Sequence, residues 1–378
     1  MFGIGRPLRP VLLTACLLVS GCSLFGTPKP QPDPLPVPSG ALKVAPAWIA
    51  ALGAPSGVGF APVVASDSVW AAAENGAITR LDLASGRVQW QVSVGKSLTS
   101  GVGTDGSTVV VASRDGELIA LGGDGSRKWA ARLGGEVVTP PAVADGSVVL
   151  RTSDNRVLAF DVETGKQRWS FQRQNPALVL RNSGGIAIAP GVAFVGMPGG
   201  RLVALTLANG APRYDVPLAQ PKGANELERI ADVVGTPLVI GRDLCAVTYQ
   251  GRIGCVEVIN GNPIWFKEFS SASGFDVDNR GLIAADADDT VQAFDRRGTP
   301  MWTKKGFARR RLSAPLITGS SVAFGDLQGN LLWLSRADGT LLAISRTDGK
   351  PIVAPAAAAG STLVVQTSGG TLHAFRTE

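Results

Sequence analysis

At 378 residues, 45% hydrophobic and 17% charged, the chain has ample material for a buried core, and a closed array of repeats can absorb that length as one domain. The formal net charge of +6 falls to about +4 once Arg6 and Arg9 of the N-terminal leader are set aside. Spread this thinly it excludes the clustered basic footprint of a nucleic-acid binder and leaves only a weak pull toward acidic or envelope partners.

Residues 1–21 read as a signal peptide: Arg6 and Arg9 precede the apolar run Val11 to Val19, which is too short to stay in a membrane as a span. The run stops at Val19-Ser-Gly-Cys22, which resembles the lipobox of bacterial lipoproteins. That resemblance implies cleavage before Cys22, lipidation of Cys22 by several acyl chains and a stable anchor. Ser23, rather than Asp, after the cysteine implies delivery to the outer membrane. Residues 22–41 form a Pro-rich tether, with proline at 28, 30, 32, 34, 36 and 38. Proline at this density favours extended polyproline II at roughly 3.1 Å per residue, so a stalk reaching about 50 Å is expected.

Residues 42–378 carry a repeat. Ala159-Phe-Asp-Val-Glu-Thr-Gly165-Lys-Gln-Arg-Trp169 reads as a strand, a tight turn and a strand bearing Trp, and the pattern recurs. Gly and aromatic pair at Gly86/Trp90, Gly125/Trp129, Gly210/Tyr214, Gly261/Trp265 and Gly298/Trp302. An aromatic about every 40 residues means one supersecondary unit per repeat. The third unit shows four short strands, 137–144, 147–152, 156–161 and 166–170, joined by hairpin turn chemistry. Eight third strands can be counted, beginning at Ala77, Glu117, Arg156, Arg201, Arg252, Thr290, Asn330 and Thr371. The eighth unit has no fourth strand, while Ala45-Pro-Ala-Trp48 is a Trp-bearing strand with no unit before it. The expectation is an all-β, eight-bladed β-propeller of four-stranded antiparallel blades, its last blade closed by the N-terminal strand. The recurrent Gly and Trp are read as structural: Gly for the positive-φ turn, Trp for packing on the next blade.

The full motif at Ala159–Trp169 resembles the tryptophan-docking repeat of quinoprotein (PQQ) propellers. With the lipobox, the chain is similar throughout 42–378 to the BamB family, outer-membrane lipoproteins of the β-barrel assembly (BAM) complex. That resemblance implies a non-catalytic scaffold that docks onto the POTRA region of BamA and assists folding and insertion of outer-membrane proteins. It places the docking residues in two stretched connections: Leu178, Leu180 and Arg181 in Pro176–Arg181, and Glu228, Arg229 and Asp232 in Gly223–Pro237. Stretched connections on a regular scaffold are where function concentrates. The family's second acidic position corresponds to Val234, so a charge contact there is lost or replaced. A purely structural alternative puts Leu178 and Leu180 on one face of a core strand. Arg309-Arg310-Arg311, on another connection, reads as a solvated loop, with docking as the minority alternative. Exposed blade edges are expected to offer a further contact for unfolded outer-membrane proteins.

Quinoprotein dehydrogenases share the repeat, and that resemblance would require a calcium-binding set and a vicinal cysteine pair. Neither is evident, and His373 is the one histidine, in an alternating strand where a structural role fits. Asp286-Ala-Asp288-Asp289 reads as a hairpin turn without calcium-loop spacing. No catalytic residue, metal or cofactor is therefore expected. The alternative is a periplasmic quinone- or sugar-binding enzyme working in the central channel. After Cys16 and Cys22, Cys245 and Cys255 remain on adjacent strands of one hairpin. Direct register would allow a disulfide, and a one-residue offset would forbid it.

Overall fold

A computed structural model describes residue 3 and residues 30–57, 59–174, 176–181 and 184–378. Most of the leader, Cys22 and the first tether residues lie outside this set. Among the described residues, 32 strands pair into eight four-stranded antiparallel sheets. Blades 1 to 7 span residues 63–93, 103–132, 142–171, 186–217, 233–268, 275–304 and 316–346, each with its strands in chain order. Blade 8 combines 357–377 with the N-terminal strand Val44–Ala51, which pairs antiparallel with Thr371–Thr377 and sets Trp48 opposite Ala374. The ring closes as the unpaired Trp48 strand predicts.

The burial of each strand follows from its place in the blade. Second strands are sandwiched between neighbouring blades on both faces, so all five residues of Ser147–Arg151 are buried, as are those of Thr108–Ala112 and Gly281–Ala285. A strand covered on both faces reads as a near-continuous apolar run. Outer strands face solvent, and in Gln167–Phe171 only Trp169 is fully buried. The first strand of blade 3 is shorter than expected. The stretch 137–144 yields only Ala142–Ala144, because Pro140 and Pro141 cannot donate to a ladder and instead line the central channel.

Each docking aromatic bonds into the following blade. Trp169 Nε1 donates to Leu207 O at 2.7 Å, Trp129 Nε1 to Val162 O at 2.9 Å, and the Tyr214 hydroxyl to Val258 O at 2.9 Å. The ring then lies over the turn glycine: a Cβ on Gly298, at φ +81°, would sit 2.5 Å from the Trp265 ring. Positive φ and lack of space thus both select glycine there. Blade 7 departs from the rule. Ala343 stands where the other outer strands carry an aromatic, and Trp333 on the paired third strand fills the space with Leu42 and Val44. The next blade takes its outer strand from the N-terminus, so the usual Gly turn is not there to be covered.

Antiparallel alternation sorts the connections onto two faces of the ring. Links between blades and turns between second and third strands share one, the loop face. The Trp-covered turns lie on the other, the turn face. Cys245 and Cys255 are directly opposite in register, fully buried in blade 5, and joined as a disulfide with S–S 2.05 Å. His373, 5% exposed, sits in the third strand of blade 8, where burial lowers its pKa against the pull of Asp348.

The expected free stalk is corrected over its second half. From Gln31 onward the Pro-rich segment lies along blades 6 and 7, with Asp33 N donating to Ala308 O and Ser39 N to Leu341 O.

Candidate functional site

The two stretched connections meet on the loop face where blades 3, 4 and 5 adjoin, and a buried carboxylate ties them together. Asp232 is 0% exposed, yet it opens the second connection's return into blade 5. Its Oδ2 accepts from Leu180 N at 2.6 Å and its Oδ1 from Gly199 N at 2.9 Å. Its own carbonyl accepts from Tyr249 N at 2.8 Å. The side chain thereby ties the blade 3–4 connection to a turn of blade 4, and the backbone of the same residue adds a turn of blade 5. Burial pushes the Asp232 carboxyl up from its ordinary value, opposed by these two N–H donors and by Arg151.

Arg151 is the counter-charge, 4% exposed at the end of the second strand of blade 3. Burial brings its guanidinium down to about 10, and Asp232 works against that shift. It donates to Asn155 Oδ1 at 3.3 Å and to Gly184 O at 3.2 Å, so it holds the far side of the same loop. Buried opposite charges persist where hydrogen bonds satisfy the remaining donors and acceptors, as here. Asp232 is therefore buried and engaged within the loops, not exposed as a surface contact would be.

The pinned loop presents its other residues outward. The described residues 176–181 form no strand, so the same-face argument that would bury Leu178 with Leu180 has no basis there. Leu178 is 41% exposed, Leu180 is half-buried beside its pinned amide, and Arg181 is exposed. Arg181 Nη2 bridges both oxygens of Glu136 on the blade 2–3 connection, at 3.0 and 3.2 Å. An exposed pair of this kind stabilises little and is readily exchanged for a partner's carboxylate.

The blade 4–5 connection is held by its own side chains. Glu228 closes a turn, accepting from Ala224 N at 2.7 Å and Asn225 Nδ2 at 2.8 Å. Arg229 donates to Gly223 O at 3.1 Å and pairs with Glu226 at 3.3 Å. Both charged residues stay at the surface, and between them and the tip Leu227 is 66% exposed. Sequence reading missed Leu227 because an isolated leucine in a charged loop carries no burial signal. It also missed Arg151, although an Arg closing the otherwise apolar strand Ser147–Arg151 is the kind of break that marks a buried partner. Val234 is 5% exposed and lines the channel, so its side chain faces inward.

The central channel holds a cavity of about 690 Å³ lined by residues such as Val102, Pro141, Ile186, Val234, Ser273 and Arg311. The acidic turn at its mouth is internally engaged. Asp286 Oδ1 accepts from Asp288 N and Thr290 N, and the Asp289 carboxylate from Arg311 N and Leu312 N. Among the described residues, no cluster of three or more His, Cys, Asp or Glu side chains is placed to hold a metal ion.

Residues 74–304 match the family model described as outer membrane protein assembly factor BamB. A relative of that description from Bordetella pertussis is 43% identical over 377 residues, covering 98% of each chain. The crystal structure of BamB from Moraxella catarrhalis superposes with a TM-score of 0.81 at 24% identity, covering 88% of this chain and 100% of that one. The quinohemoprotein alcohol dehydrogenase of Comamonas testosteroni superposes with a TM-score of 0.70 at 15% identity, over 88% of this chain and 76% of that one. At that identity the likeness is one of fold.

Proposed function

The chain belongs to the BamB family of outer-membrane protein assembly factors, and from that premise we propose that its loop face between blades 3 and 5 docks the POTRA region of BamA. The ring acts as a non-catalytic scaffold of the BAM complex: it positions a partner and carries out no bond chemistry. Lipidation at Cys22 anchors it to the periplasmic face of the outer membrane, beside the barrel-forming subunit it serves.

The observation that carries this reading is the pinning of two long connections by one buried carboxylate, with Leu178, Leu227 and Arg181 left projecting. A rigid loop loses little entropy on binding, and apolar tips beside an exchangeable Arg make a compact anchor set. Leu180 supports the loop from beneath, and Glu228 and Arg229 shape the second connection while keeping charge at its rim.

The test is direct binding of the purified chain to the isolated POTRA region of BamA. Leu178→Asp with Arg181→Glu removes an anchor and reverses a charge, and should weaken binding roughly thirtyfold or more. Asn209→Lys, on the turn face of blade 4, should leave it unchanged. Equal affinities for all three chains would refute the docking face. A tightly bound quinone or turnover in the purified protein would favour the enzyme reading instead.

A further inference from the structure

Burial along the Pro-rich segment has a period of three. Gln31, Pro34 and Val37 are exposed, whereas residues 32–33, 35–36 and 38 are half-buried. Three residues per turn is the repeat of polyproline II, so two of its three edges rest on the ring. Leu35 packs on the cluster of Phe307, Leu312 and Leu332, and Pro36 covers Gly306. Backbone bonds continue the contact, from Asp33 N to Ala308 O at 3.0 Å, Ser39 N to Leu341 O at 2.9 Å and Gly40 N to Leu342 O at 3.0 Å.

The arginine run supplies the lock. Arg309 donates to Gln31 O at 2.7 Å and pairs with the Asp33 carboxylate. Arg310 is 4% exposed, and its Nη1 pairs with Asp326, which is fully buried, at 2.7 Å. Its Nε and Nη2 both donate to Asp33 O, at 3.0 and 2.6 Å. Lifting the segment away would leave two donors of a buried cation without that acceptor, a costly state. The sequence reading of these arginines as a solvated loop is corrected here: two of the three grip the chain's own N-terminal segment.

We propose that residues 31–43 are a built-in clamp that fixes where the membrane tether leaves the ring, on the loop face at the blade 6–7 connection. The orientation it implies rests on lipidation of Cys22, as proposed above. Only about nine residues then separate the anchor from the clamp, spanning at most about 30 Å even when fully extended. The clamp cuts the expected reach of about 50 Å and turns the loop face, docking connections included, toward the membrane. The partner is received on the membrane side of the ring.

The test uses the mature chain in phosphatidylethanolamine and phosphatidylglycerol vesicles carrying an acceptor-labelled lipid. Donor dyes are placed through Asp288→Cys on the loop face or Arg297→Cys on the turn face of the same blade. Energy transfer should be clearly higher from 288 than from 297, because a blade is about 20 Å tall. Leu35→Asp, which puts a charge among apolar side chains at a position outside the blade strands, should release the clamp and erase the difference. Hydrogen exchange reads the clamp independently of the membrane: the Asp33, Ser39 and Gly40 amides should exchange roughly a hundredfold or more slower than in an unstructured chain, and Leu35→Asp should remove that protection. Unprotected amides would overturn the clamp. Protected amides with equal transfer from both faces would overturn the orientation. A chain that mass spectrometry finds unlipidated, with amides still protected, would fail the anchoring reading and the orientation while leaving the clamp standing.

Discussion

Replacing Asp232 with Asn tests whether one buried carboxylate organises the two stretched connections. The carboxylate accepts from two amides, Leu180 N and Gly199 N, one on each oxygen. Asn keeps one oxygen and turns an NH2 toward the other donor, so one charge-assisted bond of about 1.5–3 kcal/mol is lost and a buried N–H is orphaned. Arg151 also loses its counter-charge, while the cost of burying the carboxylate disappears and offsets part of the loss. The net destabilisation of the pinned loop is about 2–4 kcal/mol. Most of it should appear locally, since blade strands on either side keep their ladders. Hydrogen exchange of the peptide covering residues 176–185 should quicken by roughly 30- to 1,000-fold, with partner binding weakened in parallel although no exposed residue has changed. Wild-type exchange in that peptide would refute the pinning role.

Gly298→Ala should cost about 3 kcal/mol in denaturant unfolding, combining left-handed backbone strain with displacement of the Trp265 ring. Gly319→Ala, at φ +57° with open space around it, should cost only about 1 kcal/mol, and equal losses would discount the Trp contact. Replacing Cys245 and Cys255 by Ala should lower stability by about 3 kcal/mol for a loop closed over a separation of 10 residues, measured under non-reducing conditions. Asp278 is pushed up by burial but held below its ordinary 3.8 overall by its hydrogen bonds to Arg336 and to nearby amides. A depressed folded-state pKa gives stability that is present above about pH 4 and lost as pH falls through the folded value. Asp278→Asn should thus be clearly less stable than the parent at pH 7, where it leaves a 1%-exposed Arg336 unpaired, and the gap should narrow by pH 2. A gap that stays constant with pH would exclude the ion pair as its source.

The ring was legible from sequence because its determinants are local and repeated. A glycine that must take positive φ and an aromatic four residues later state the turn and its cover together, and Trp48, lacking a unit of its own, states the closure. Blade 7 was harder to read because Trp333 and Ala343 exchange places across a ladder. The position of Cys245 opposite Cys255 depended on register, which spacing alone leaves open. The two stretched connections could be located by their length, but not the contacts within them. Whether Asp232 faces solvent or two amides is decided by residues 52 and 33 positions away. The grip of Arg310 on Asp33 spans 277 positions and uses a backbone carbonyl, so the identity of Asp33 does not encode it. Long-range polar contacts of this kind leave no periodic trace.

The central claim is that a partner in the BAM complex is received on the loop face between blades 3 and 5. Site-specific photocrosslinking in living cells tests it most directly, with the crosslinker at 178 and at 227 on the loop face and at 209 on the turn face. Covalent capture of BamA from 178 and 227, and none from 209, is the predicted result. Capture from 209 alone, or no capture from either loop position in a folded, membrane-localised chain, would contradict it.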